Sequence, residues 1–278
     1  MKKTTIVLVV VVVLIFIGII ILGIQISTFV NTTHTLSDRP CPHSLRLRHV
    51  ISLAENRIND TLVSRFPYLA AITRNATGLW TFACFASVIM TKWVVAAAHC
   101  RLSGHSHRVI IFQDFARNKT HSFPILFWRV HEKYNMTQPN PKYDIAVARM
   151  NVEHYHTIMQ PADFDENEAK EVEASVWRTV STMDKKLYLT NHFDKYDLTI
   201  TTKDKCFETY GVDLDDSLIC IDTSDYDDCF THEFGPIFSG DKVVGIIAIK
   251  PVDCEMKYSV FTNVSYYTSW ILRSTYDF

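Results

Sequence analysis

The chain has 278 residues, 47% of them hydrophobic, and a formal net charge of -2. That is enough apolar material for a sizeable core, and the absence of any Lys/Arg-rich stripe leaves no case for binding nucleic acid. The seven cysteines, at positions 41, 84, 100, 206, 220, 229 and 254, include no Cys-x-x-Cys, so zinc-ribbon and thioredoxin-like chemistry have no support.

The first predicted element is an apolar run. Lys2 and Lys3 precede an uninterrupted hydrophobic stretch from Ile6 to Ile24. As a helix it spans about 28 Å, close to the roughly 30 Å hydrocarbon core of a bilayer. The next basic residue is Arg39, so the positive-inside bias keeps the N-terminus in the cytosol. A cleaved signal peptide is the competing reading, but its apolar region runs only about 7–15 residues, and Gly23-Ile24-Gln25 makes a poor cleavage site. The reading is therefore a cytosolic tail (1–5), a signal-anchor helix (6–28) and an extracellular or lumenal remainder, with secretion as the alternative.

Residues 29–56 carry Pro40 and Pro42 without periodicity and read as a stalk. Cys41 within it has no evident partner in the chain, which points to an intermolecular disulfide and a possible disulfide-linked dimer. Asn-x-Ser/Thr sequons at Asn31, Asn59, Asn75, Asn118, Asn135 and Asn263 all lie beyond the apolar run. Together with that run they favour a secretory lumen and stable disulfides.

From Arg57 the texture changes to short β-rich runs separated by polar turns: Tyr68–Thr73, Ala83–Met90, Trp93–Ala98, Arg108–Phe112, Ile145–Met150 and Val243–Ile249. This spacing predicts an all-β sandwich or barrel. Tyr266–Leu272 reads as a terminal helix. No internal repeat is visible.

Three segments carry chemistry. Trp93-Val94-Val95-Ala96-Ala97-Ala98-His99-Cys100 follows Phe66-Pro67-Tyr68-Leu69 and Ala86-Ser87-Val88-Ile89; Tyr143-Asp144-Ile145-Ala146-Val147 comes forty-five residues after the histidine; Val260-Phe261-Thr262-Asn263-Val264 precedes Trp270-Ile271. Taken in order, these resemble the chymotrypsin/trypsin family of serine proteases over residues 57–278. The resemblance implies two six-stranded antiparallel barrels with a cleft between them and a C-terminal helix. It also implies the bridges Cys84–Cys100, Cys206–Cys220 and Cys229–Cys254. His99 and Asp144 match the family's general base and its orienting carboxylate.

The third member of the triad departs from the pattern. Where the family carries a GDSGGP stretch, this chain reads Cys229-Phe230-Thr231-His232-Glu233-Phe234-Gly235-Pro236, and Glu233 stands in the serine's place. Thr231 replaces the glycine whose N–H faces the oxyanion, and His232 replaces the aspartate used in zymogen activation. Arg57-Ile58-Asn59-Asp60 only faintly matches an activation junction. Asp227 falls where trypsin-like members select basic side chains, while Lys250 and Ser259 take the places of two pocket-wall glycines. Lys250 is either an ordinary solvated loop residue or, turned inward to Asp227, a plug.

The expectation is a non-catalytic homologue that binds protein partners, a protease or an inhibitor. Two rivals stand beside it: an active endopeptidase with another nucleophile, Ser239 being the nearest, and a structural or adhesive ectodomain. Asp144 and Glu233 on either side of His99 would form a mock triad that keeps the ring protonated. No cofactor is implied, and the ligand spacing around His232 and Glu233 gives no metal site.

Overall fold

The computed structural model describes residues 65–76, 78–112, 122–137, 140–152, 171–181, 187–226, 230 and 234–276, all within one compact unit, Ser52–Phe278. The apolar run, the stalk with Cys41, the Arg57–Asp60 junction, and Asp227, Cys229, Thr231, His232 and Glu233 lie outside the described residues. No described helix is long and apolar enough to cross a membrane.

The first barrel is built from β1 (Leu69–Ala76), β2 (Leu79–Met90), β3 (Trp93–Ala96), β4 (His107–Ile111), β5 (Ser122–Val130) and β6 (Ala146–Met150). The second is built from β7 (Glu171–Ser181), β8 (Leu187–Thr201), β9 (Leu218–Asp222), β10 (Ile237–Ser239), β11 (Lys242–Ile249) and β12 (Tyr258–Asn263). Both close, in the orders β1-β2-β3-β6-β5-β4 and β7-β8-β9-β12-β11-β10, and every pairing is antiparallel. The two windings are the same, so the chain repeats a topology that its sequence does not repeat.

Composition explains the barrels. β3 is buried along its whole length, as a central strand of valines with covered faces should be. Small residues at Ala70, Ala71, Ala86, Ala96 and Ala148 are fully buried, which suits the narrow interior of a six-stranded barrel. Between the barrels lies an aromatic seam. Phe66 packs against Phe193 and Phe238 at 5.4 and 5.9 Å, Tyr68 against Phe238 at 4.8 Å, and Phe112 against Phe193 at 4.8 Å. These rings bring together the first barrel, β8 and β10.

Two helices complete the fold. α1 (Lys203–Tyr210) stops at Gly211, whose φ of 64° is the left-handed cap conformation that costs glycine least. α2 (Thr268–Thr275) buries Trp270 and Ile271 in the first-barrel core. Arg129 Nη1 donates to Ser274 O at 2.7 Å, satisfying a carbonyl of its last turn. The terminal helix, the predicted double barrel and the disulfides Cys84–Cys100 and Cys206–Cys220 are all present. Cys254 is disulfide-bonded as well, and Cys229, the partner the resemblance implies, lies outside the described residues.

Candidate active-site cleft

His99 sits in a single 3-10 turn, Ala98–Cys100, at the end of β3. The Cys84–Cys100 disulfide ties that turn to β2, so the ring is carried on a covalently fixed corner. Asp144 follows a second 3-10 turn, Pro141–Tyr143, in which Asn140 caps by accepting from the Lys142 N–H. Proline in the first position presets φ for such a turn. The hydroxyl of Tyr267 donates to Lys142 O, which fastens the turn to the segment leading into α2.

The two residues meet as the sequence predicts. His99 Nδ1 and Asp144 Oδ2 are 2.7 Å apart, and the backbone N–H of His99 donates to Asp144 Oδ1 at 2.9 Å. The carboxylate is buried, with 6% of its side chain exposed, while the imidazole is 36% exposed. Asp144 therefore grips both the ring and its backbone. In the neutral tautomer this leaves the proton on Nδ1 and the lone pair on Nε2, the orientation a general base needs. The second barrel contributes the hydroxyl of Thr262 on β12, which donates to Asp144 O at 3.2 Å. Burial, with the Asp144 charge adding to it, pushes the Tyr134 phenol up to about 12, so that hydroxyl stays neutral beside the site.

On the far side of the Asp144 turn, His131 stacks on Tyr143 at 5.2 Å and lies edge-on to Tyr267 at 5.3 Å. Burial lowers its pKa, Glu132 opposes that shift, and Lys133 and Arg273 reinforce it. Glu132 in turn accepts from Trp270 Nε1 at 3.1 Å. This aromatic cluster anchors α2 to the loop that carries Asp144. The sequence reading did not single it out, because its members are scattered from 131 to 270.

Gly235, two residues after Glu233 in the sequence, packs directly against β7. Its N–H donates to Ser175 O at 3.0 Å, and a Cβ at that position would lie 2.2 Å from the same oxygen. Only glycine fits so close an approach, and this structural demand supports aligning the Gly-Pro pair without a gap.

The remaining predicted positions fall as follows. Lys250 is exposed just after β11. Ser259 is fully buried on β12, with no hydrogen-bond partner for its hydroxyl among the described residues. Ser239 ends β10 at a hairpin, pairing with Lys242, and lines a groove with Arg65, Glu173 and Asp197 rather than with His99. Of the sequons, Asn135 is exposed and Asn75 sits at the β1–β2 hairpin, accepting from the Gly78 N–H. Asn263 is buried and its Nδ2 donates to Asp216 O at 3.0 Å, so in this fold that nitrogen is already engaged. Asn31, Asn59 and Asn118 lie outside the described residues. Cys84, His99 and Cys100 bring ligand-type atoms within 4.8 Å of one another, but disulfide sulfurs offer no thiolate to a metal.

With this geometry in place, comparison with known proteins gives one answer. The family described as Trypsin matches residues 58–271. The chain is 24% identical to trypsin epsilon of Drosophila erecta over 226 residues, covering 77% of this chain and 85% of the relative. It is 26% identical to kallikrein-11 of Mus musculus over 208 residues, covering 68% and 71%. Among solved structures, neuropsin, a serine protease expressed in the limbic system of mouse brain, superposes with a TM-score of 0.64 at 21% identity, covering 80% of this chain and 99% of that one. From the matched family, the double barrel and the His99–Asp144 pair together, the chain belongs to the trypsin family of serine proteases.

Proposed function

We propose that this chain is a non-catalytic member of its family, held on the extracellular or lumenal side of a membrane by the Ile6–Ile24 run, and that it acts by binding protein partners. One observation carries the reading: aligned without a gap between Cys229 and Gly235-Pro236, the sequence has Glu233 where the family carries its serine, and the close packing of Gly235 on Ser175 supports that alignment. Loss of the serine in a comparable triad costs about a million-fold in turnover. A carboxylate also brings negative charge to the place where an oxyanion must be stabilised, the wrong sign for catalysis. The His99–Asp144 pair then serves as a structural hydrogen bond that ties the His99 turn to the Asp144 turn within the first barrel.

Labelling the purified chain with a fluorescent fluorophosphonate, which requires an activated serine, tests this directly. The native chain is expected to remain unlabelled, and a Glu233→Ser variant run alongside reports whether the rest of the site can still activate a hydroxyl. Labelling of the native chain that disappears on His99→Ala would refute the reading.

A further inference from the structure

The first barrel carries a groove separate from the His99–Asp144 pair. It has a volume of about 590 Å³ and lies between Trp80 on β2, the loop 101–106, the start of β4 and residues 124–128 of β5. Three features of it point the same way.

The first is charge. Among the described residues the lining holds Arg101, His105, His107 and Arg108 and no carboxylate. Burial lowers the His107 pKa, and the nearby positive charges of His105, Arg74 and Arg101 lower it further. The whole barrel shares the bias: from Leu69 to Met150 the sequence has ten Lys/Arg against three Asp/Glu, whereas from Glu171 to Asn263 it has nine against eighteen. The small net charge of the chain hides this division.

The second is apolar surface placed among the cations. The Arg108 guanidinium lies 4.4 Å over the Trp80 ring, and His107 stands edge-on to Trp128 at 5.5 Å. Trp128 Nε1 is buried without a hydrogen-bond partner among the described residues. Leu126 is 54% exposed and Phe127 37% exposed.

The third is shape. β5 pairs with β4 only up to Arg108↔Pro124. Beyond that point the described ladder is to β6 alone, from Ile125↔Met150 to Val130↔Ala146. The β4-side edge of Ile125–Trp128 thus borders the groove, where an extended segment can lie along a strand.

We infer that this groove docks an extended, acidic segment of a partner protein in which carboxylates alternate with aliphatic or aromatic side chains. The period of two in an extended peptide sends carboxylates toward Arg101 and Arg108 and apolar groups toward Leu126 and the tryptophans. A sulfated polysaccharide would satisfy the arginines and leave Leu126 and Phe127 unused, so the peptide fits better. The inference does not depend on whether the cleft cuts peptide bonds.

The test is fluorescence anisotropy with the full chain and a labelled peptide alternating Glu and Leu. Its controls are a Lys-Leu peptide and a heparin-derived oligosaccharide. The Glu-Leu peptide is expected to bind, to weaken as salt rises from about 0.05 to about 0.5 M, and to lose about tenfold or more in affinity in an R101E/R108E variant, as loss of two charged contacts entails. Leu126→Ser, at a half-exposed position that the fold does not need, is expected to weaken it too. Lys205→Glu, on α1 beside the second barrel, should change nothing. A thermal melt checks that R101E/R108E is folded; if it is not, Leu126→Ser decides. Absence of binding, equal binding of the Lys-Leu peptide, or binding indifferent to Leu126→Ser and to the arginine reversals would overturn the inference. So would oligosaccharide binding that the Glu-Leu peptide cannot displace.

Discussion

Asp144 binds His99 twice, through the ring at 2.7 Å and through the backbone N–H at 2.9 Å. Whatever its part in chemistry, this double contact also holds the His99 turn and the Asp144 turn together. Asp144→Ala removes the acceptor from a part-buried N–H and from an imidazole nitrogen at once. Unsatisfied buried groups cost about 1–3 kcal/mol each. Because water reaches the half-exposed ring, the predicted loss is about 1–2 kcal/mol in urea unfolding, with Asp144→Asn, which retains an acceptor, losing less. His99 and Asp144 were legible in the sequence because each sits inside a short run, Ala97-Ala98-His99-Cys100 and Asp144-Ile145-Ala146, whose neighbours are buried and whose order is informative. The Thr262 hydroxyl on Asp144 O was not, since it joins residues 118 positions apart and nothing local marks it.

At the level of elements, the apolar runs that alternate poorly with polar residues were the readable ones. β3 and β6 are buried on nearly every residue and announce themselves as valine- and alanine-rich stretches. β8 hides its pattern: Tyr196 and Leu198 point inward while Asp197 and Thr199 are exposed, an alternation diluted by Lys195 and by the buried Asp194. α1 was also missed. It is eight residues long with only Cys206 buried, so it offers no apolar stripe to read. Its position depends on the Cys206–Cys220 bridge to β9. Closing a loop of that size contributes about 3 kcal/mol in the chain-entropy model. A Cys206→Ser/Cys220→Ser double variant is expected to lose about that much stability and to show early amide exchange in α1, read by hydrogen–deuterium exchange mass spectrometry.

The molecule as a whole repeats one six-stranded winding twice while the two copies have diverged in charge. The repetition was invisible in sequence because a barrel constrains only which positions are apolar and small, not which residues fill them. Acid sensitivity also belongs to this scale. Burial holds His107 and His131 below the ordinary histidine value, so the unfolded chain binds more protons than the folded one as pH falls through about 6.5. Stability from these two groups is complete above that pH and declines below it, toward the depressed folded values. The melting temperature is predicted to fall between about pH 7.5 and about pH 5, and to fall less in His131→Phe, which keeps a ring between Tyr143 and Trp270. A drop of the same size in that variant would place the sensitivity elsewhere.

The most direct measurement of the central claim asks whether the chain breaks peptide bonds at all, by any nucleophile. Incubated with a diverse peptide mixture and followed by mass spectrometry, the purified chain is predicted to generate no new peptide termini beyond those seen with a His99→Ala variant. New termini that appear with the native chain and vanish in His99→Ala would contradict the account.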